Sequence, residues 1–260
     1  MERLNFYQKK AGYKWTNRKP GEILKALVSY MLKDYLRSYL YVPPVSLFCL
    51  WTFVAYTYVP NPVFSSYAVS CAVLYFVAAW LTITLVNRED VTQLHITAVH
   101  ARSFISVFLS KVIGVLIMIS FLIMLAVLYP ILIGAFHRSV TMWDVLIAIT
   151  AHFLISFLGV AVSLYFTKIW SRKTLSTWLL LVLILVISLV KGGIVEFLPG
   201  GYSFVTWVFP PSFAIMDVLS QDTIPVNAQL FFTFIYILGY ASLLTVIFLV
   251  LVRKKNAFLT

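Results

Sequence analysis

Residues 104–136 read FISVFLSKVIGVLIMISFLIMLAVLYPILIGAF, and this run decides the fold. Its one charge is Lys111. A helix rises about 1.5 Å per residue and the hydrocarbon core of a bilayer is about 30 Å thick, so roughly 20 apolar residues cross it. The run is longer than that, and its first turns, with Lys111, are expected to project into the cytoplasm. A backbone in lipid must satisfy its own hydrogen bonds, which leaves helices or closed barrels. The short alternating segments of a membrane barrel are absent. An all-α polytopic membrane protein follows.

Working outward, the runs 41–59, 63–86, 145–170, 174–190 and 230–252 repeat the pattern. Together with 104–136 they predict six transmembrane helices. Composition agrees: 62% of residues are apolar and 11% charged, against about 45–50% and 25% in soluble domains. That excludes a water-soluble globule and a disordered chain. Cys49 and Cys71 sit inside apolar runs and read as small hydrophobes, with no disulfide framework or metal spacing.

The net charge of +11 reads first as a topology signal. Of the 20 Lys and Arg residues, all but Arg138 and Lys191 fall before the first run, in or beside the 2–3 and 4–5 connections (Lys111 in the first turns of the third run and Lys168 at the end of the fourth), or after the last run. The opposite side also carries Asp144, Glu196, Asp217 and Asp222. Basic residues stay cytoplasmic, which predicts both termini in the cytoplasm of a multi-pass cell-membrane protein. Nucleic acid is excluded as a partner on the same ground; membrane lipid is the partner this charge suits. No apolar stretch with a small-residue cleavage site precedes the first run, so no secretory leader is expected.

Three connecting segments carry the organisation. Residues 1–40 form a cytoplasmic N-terminus. Its part 22–40 shows helical periodicity, with Ile23, Leu24, Leu27, Val28, Met31, Leu32, Tyr35 and Leu36 on one face and Glu22, Lys25, Lys33 and Arg37 on another. Such a helix is expected along the inner leaflet. Pro43-Pro44 is expected to turn the chain into the six-span domain, 41–252, which ends in a short tail, 253–260. The 2–3 connection, about 88–103, holds Glu89 and Asp90 ahead of Val91, Leu94, His95 and Ala98 at helical spacing. Acids suit a helix N-terminus, so a short amphipathic helix across the base is predicted. The 5–6 connection, about 191–220, has Lys191-Gly192-Gly193, an apolar stretch with Glu196, further Pro and Gly breaks, and a short helical pattern over 212–219. A re-entrant outer gate is predicted, with Lys191, Gly192, Gly193 and Glu196 at its break.

Catalytic constellations are missing. There is no H-E-x-x-H, no G-x-S-x-G and no phosphate-cradling G-x-x-x-x-G-K-[ST]. His95 and His100 have the wrong spacing for a metal pair, and His152, inside the fourth run, reads as a hydrogen-bonded packing residue. A secondary carrier or channel is the alternative reading, with His152, Lys191 and Glu196 as its candidate groups. Almost no charge lies mid-span, and no inverted repeat is visible. A chain that moves cargo against a gradient would then need energy from another subunit.

In this arrangement the chain resembles a type-2 ATP-binding cassette (ABC) exporter permease. The likeness is carried by an amphipathic connecting helix before six spans, a coupling helix between spans two and three, and re-entrant helices between spans five and six. Glu89-Asp90, Val91, Leu94, Ile96, Ala101-Arg102 and Lys111 follow the family's order in the 2–3 connection, with Thr92 where the family often has Gly. The resemblance implies a permease that is no enzyme itself. It implies a second permease copy or homologue and two copies of a separate ABC ATPase, which binds the ATP and Mg. It assigns ATPase coupling to Glu89, Asp90, Leu94, His95 and Arg102. The same resemblance puts the cargo path along spans one, two and five, where Trp51, Tyr56, Tyr75 and Trp178 would suit an amphiphilic peptide, lipid-linked molecule or drug.

Overall fold

The computed structural model describes residues 20–101, 103–170, 174–197, 209–221, 224 and 227–257. Arg102 lies outside the described residues, as do the side chains of Lys191, Gly192, Gly193 and Glu196. Nine α-helices are described: α1 (Pro20–Arg37), α2 (Val42–Ala55), α3 (Val63–Val86), α4 (Val91–Ala101), α5 (Phe104–Leu132), α6 (Met142–Ser163), α7 (Thr174–Phe197), α8 (Ser212–Leu219) and α9 (Ala228–Ala257). Among the described residues there is no strand beyond a single bridge between Asn61 and Phe136. The chain is therefore an all-α protein with multi-pass membrane character.

Four described helices are long and apolar enough to cross a membrane: α3, α5, α6 with its following turn, and α9. A fifth crossing results only if α1 and α2, which meet at a bend of 78°, count as one broken span. The expected first span, 41–59, is cut short. Its helix has 14 residues, about 21 Å, because residues 56–59 lie in the turn after it rather than in the helix. The bend itself falls at 38–41, where Tyr39 has φ 56°; Pro43 and Pro44 sit in the first turn of α2, where proline costs no hydrogen bond. In α7 the apolar stretch is Leu175–Val190. The backbone stays helical through Gly192-Gly193 to Phe197, so this glycine pair does not break the helix. Each glycine costs a helix about 1 kcal/mol, too little to end one of 24 residues.

The bundle is centred on α3 against α6, whose apolar stretches are each 67% buried. Close approach depends on small side chains: Ala78, Ala79, Ala148, Ala151 and Gly159. A Cβ at Gly159 would stand 2.7 Å from the Tyr75 carbonyl oxygen. Inside this contact His152 Nδ1 donates to the Ala148 carbonyl at 2.7 Å, leaving Nε2 to accept from the Ser70 hydroxyl at 2.6 Å. The histidine is thus buried with both nitrogens hydrogen-bonded. α5 and α9 flank the pair, while α2, α7 and α9 expose apolar faces, among them Leu50, Val54, Leu179, Leu183, Phe232 and Ile235. Apolar surface of this extent belongs against lipid or another apolar helix.

The two ends of the bundle are built differently. At the end away from α4, Asn61 N–H donates to Ala135 and His137 N–H to the Asn61 carbonyl, at 2.8 and 3.0 Å. Thr141 and Asp144 form a capping box on α6, and Arg138 reaches Asp144 at 2.6 Å. That hydrogen bond raises the Arg138 guanidinium above its ordinary range. The other end, around α4, holds the candidate site.

Candidate functional site

α3 stops at Val86, and Asn87 caps it while its side chain accepts from the Lys168 backbone N–H at 2.8 Å. The turn that follows leads directly into α4. Asp90 opens α4 by accepting from the Gln93 N–H at 2.7 Å, which satisfies one of the free donors of a helix N-terminus. Ser103 does the same for α5 through the Ser106 N–H.

α4 has two distinct faces. Inward, Ala98 and Ala101 are buried beside Met31 and Val107, and Leu94 packs at the edge of the core. His95 stands edge-on to Phe104 with ring centroids 5.6 Å apart. Outward, Thr92, Ile96, Val99 and His100 are exposed, with Ile96 at 56% and Val99 at 74%. The His100 Nδ1 donates back to the Ile96 carbonyl at 2.8 Å.

Beneath α4 lies a buried ion pair. Lys111 Nζ sits 2.8 Å from Glu89 Oε2, with the side chains only 1% and 2% exposed. Glu89 Oε1 accepts from the Thr97 hydroxyl at 3.2 Å. Lys111 also donates to the Val86 carbonyl at 3.2 Å and lies 5.5 Å from the Phe108 ring centroid. Carbonyls at a helix C-terminus carry partial negative charge, so Lys111 meets favourable charge from two sides.

α1 closes the base from the other side. Tyr35 OH and Thr84 Oγ1 are 2.6 Å apart, Gln93 Nε2 donates to Tyr30 OH at 3.1 Å, and Arg88 reaches Asp34 at 3.6 Å. Leu32 lies over Gly114. The apolar face of α1 is therefore partly spent on its own chain, where the sequence suggests a helix lying on the leaflet.

These placements redistribute the residues expected to contact a partner. Glu89 is inside and committed to Lys111; it offers no surface for coupling. Leu94 and His95 face inward. Asp90 is exposed but serves as the α4 cap. Ile96 and Val99, which the sequence reading left out of the coupling surface, form the outward apolar strip. A partial signal was available: an early lysine in an apolar run demands a counter-ion, and Glu89 and Asp90 are the acids that precede it, although the linear sequence does not choose between them.

The expected cargo-path residues also divide. Trp51 and Trp178 are half-buried, and Trp178 packs edge-on against Trp80 at 6.3 Å. Tyr56 and Tyr75 are core residues, 4% and 0% exposed, and line no surface of this chain. Tyr56 packs against Tyr129 and Phe136. Tyr75 OH lies 3.1 Å from Ser188 Oγ, which accepts from Ser212 at 2.8 Å and donates to the Leu185 carbonyl. This hydroxyl chain ties α8 to α7 and α3. Among the described residues, no group of three or more His, Cys, Asp or Glu residues could hold a metal.

No family model, curated protein or solved structure matches this chain.

Proposed function

We propose that this chain is the permease subunit of an ABC exporter. It pairs with a second permease copy or homologue in the cell membrane, both termini in the cytoplasm, and moves an amphiphilic or hydrophobic cargo. The short helix α2 and the apolar stretch of α7 complete a six-span arrangement, with local bilayer thinning accommodating their length. Energy comes from a separate ATPase, which binds the nucleotide and Mg.

The observation that carries this reading is α4 itself. It is a short helix at one end of a nearly charge-free bundle, anchored to the spans on one face and presenting Ile96 and Val99 on the other. A helix offering apolar anchors at i and i+3 suits a groove on a soluble partner. α4 takes the part of the coupling helix, with Ile96 and Val99 as its contacts.

The test is recovery of the tagged chain from native membranes. An ATP-hydrolysing subunit is expected to co-purify, and the chain stripped of it is expected to hydrolyse no ATP. Ile96→Asp with Val99→Asp should abolish that recovery at unchanged membrane level. A chain that purifies without any nucleotide-hydrolysing partner, or a double variant that retains it, refutes the reading.

A further inference from the structure

The apolar contacts of α4 are too few to explain its fixed position. It has 11 residues, below the length at which a helix is stable alone. Among its described side chains the buried ones are two alanines, Ala98 and Ala101, which remove little apolar surface from water, and Leu94 packs only at the edge of the core. Something else must hold it, and the candidates are polar. The Arg88–Asp34 pair is partly exposed, at 40% and 28%; exposed pairs of this kind contribute little. The Glu89–Lys111 pair differs in kind, because its charges have lost their water and each depends on the other.

The position of the pair matters as much as its burial. Glu89 lies in the turn between α3 and α4, where a hinge would form. Thr97, which donates to it, is two turns along α4. Lys111 is on α5 and reaches the last residue of α3. One charge pair therefore joins the end of α3, the turn, the middle of α4 and the second turn of α5.

The geometry points to Glu89 and Lys111 as positioning residues that pin α4 to α5 and close the 87–90 hinge. α4 cannot swing by itself; it moves only as one body with the lower ends of α3 and α5. This holds whether or not α4 meets an ATPase. If it does, force on Ile96 and Val99 reaches the spans directly.

Hydrogen exchange of the full chain in lipid nanodiscs tests the pin. Glu89→Gln and Lys111→Met each strand one buried charge or its partner, and are expected to raise exchange of the amides of residues 91–101 by roughly tenfold or more. The amides of α3 and α6 at the Tyr75–Gly159 contact are expected to stay at wild-type rates. An uncompensated buried charge also lowers insertion of the single variants. Glu89→Met combined with Lys111→Met removes both charges, so folding is retained, yet α4 is expected to exchange as fast as in the single variants. Lys111→Arg keeps the charge and is expected to restore wild-type protection. Wild-type protection of α4 in the double methionine variant would overturn the pin, since apolar packing would then suffice. Equal loss of protection in α3 and α6 would also overturn it, as that is the signature of a general loss of stability.

Discussion

Gly159 shows how far one side chain decides this bundle. The atom a Cβ would meet is a backbone oxygen, at 2.7 Å, and cannot rotate away. Gly159→Ala therefore has to separate α3 from α6, at a cost of about 1–3 kcal/mol, seen as a lower thermal midpoint in nanodiscs; an unchanged midpoint would refute the contact. Ser70→Ala works by a different route, leaving His152 Nε2 without its partner. Hydrogen bonds between membrane helices average about 0.6 kcal/mol and reach about 1.7, so this variant should be milder than Gly159→Ala in the same measurement. That His152 is hydrogen-bonded was legible in the sequence, since a lone histidine amid apolar residues needs partners. Ser70 was not legible, because nothing in a linear sequence aligns 70 with 152.

Among elements, α8 is the clearest case of dependence on a few polar atoms. Eight residues cannot hold a helix by themselves, and Ser188 is where its anchor converges. Ser188→Ala removes the acceptor used by both Tyr75 and Ser212. Exchange of the α8 amides should rise severalfold, while Ser212→Ala, which spares the Tyr75–Ser188 contact, should raise it less. Equal effects would separate α8 from this chain of hydroxyls. The helical pattern at 212–219 could be read from the sequence, as could α4. The 3–4 spacing of Leu94, His95 and Ala98 also marks the side of α4 that packs. The burial of Glu89 was not legible, because its partner Lys111 lies on the next helix and draws it under α4. The end of α2 was hidden for a related reason, as apolar character does not say where a helix stops.

For the whole molecule, the membrane crossings were the most legible feature, because length and apolarity act locally. Their number was less so; α2 has 14 residues, and the apolar stretch of α7 among the described residues is Leu175–Val190. Orientation can be checked directly. Tyr58, 84% exposed, precedes α3, and Val99 follows it. With Cys49 replaced by serine and Cys71 buried, Val99→Cys should react with an impermeant maleimide only from the cytoplasmic side, and Tyr58→Cys only from outside. The reverse pattern would invert the topology.

The burial of the helices is uneven. α3 and α6 clasp one another with two-thirds of their apolar length inside, whereas the apolar stretch of α9 is only 28% buried. Cohesion of the centre is intrinsic to the polypeptide, while that of the periphery is lent by surrounding acyl chains. Delipidation in short-chain detergent should consequently peel the molecule from its rim, releasing α9 while the α3–α6 spine survives.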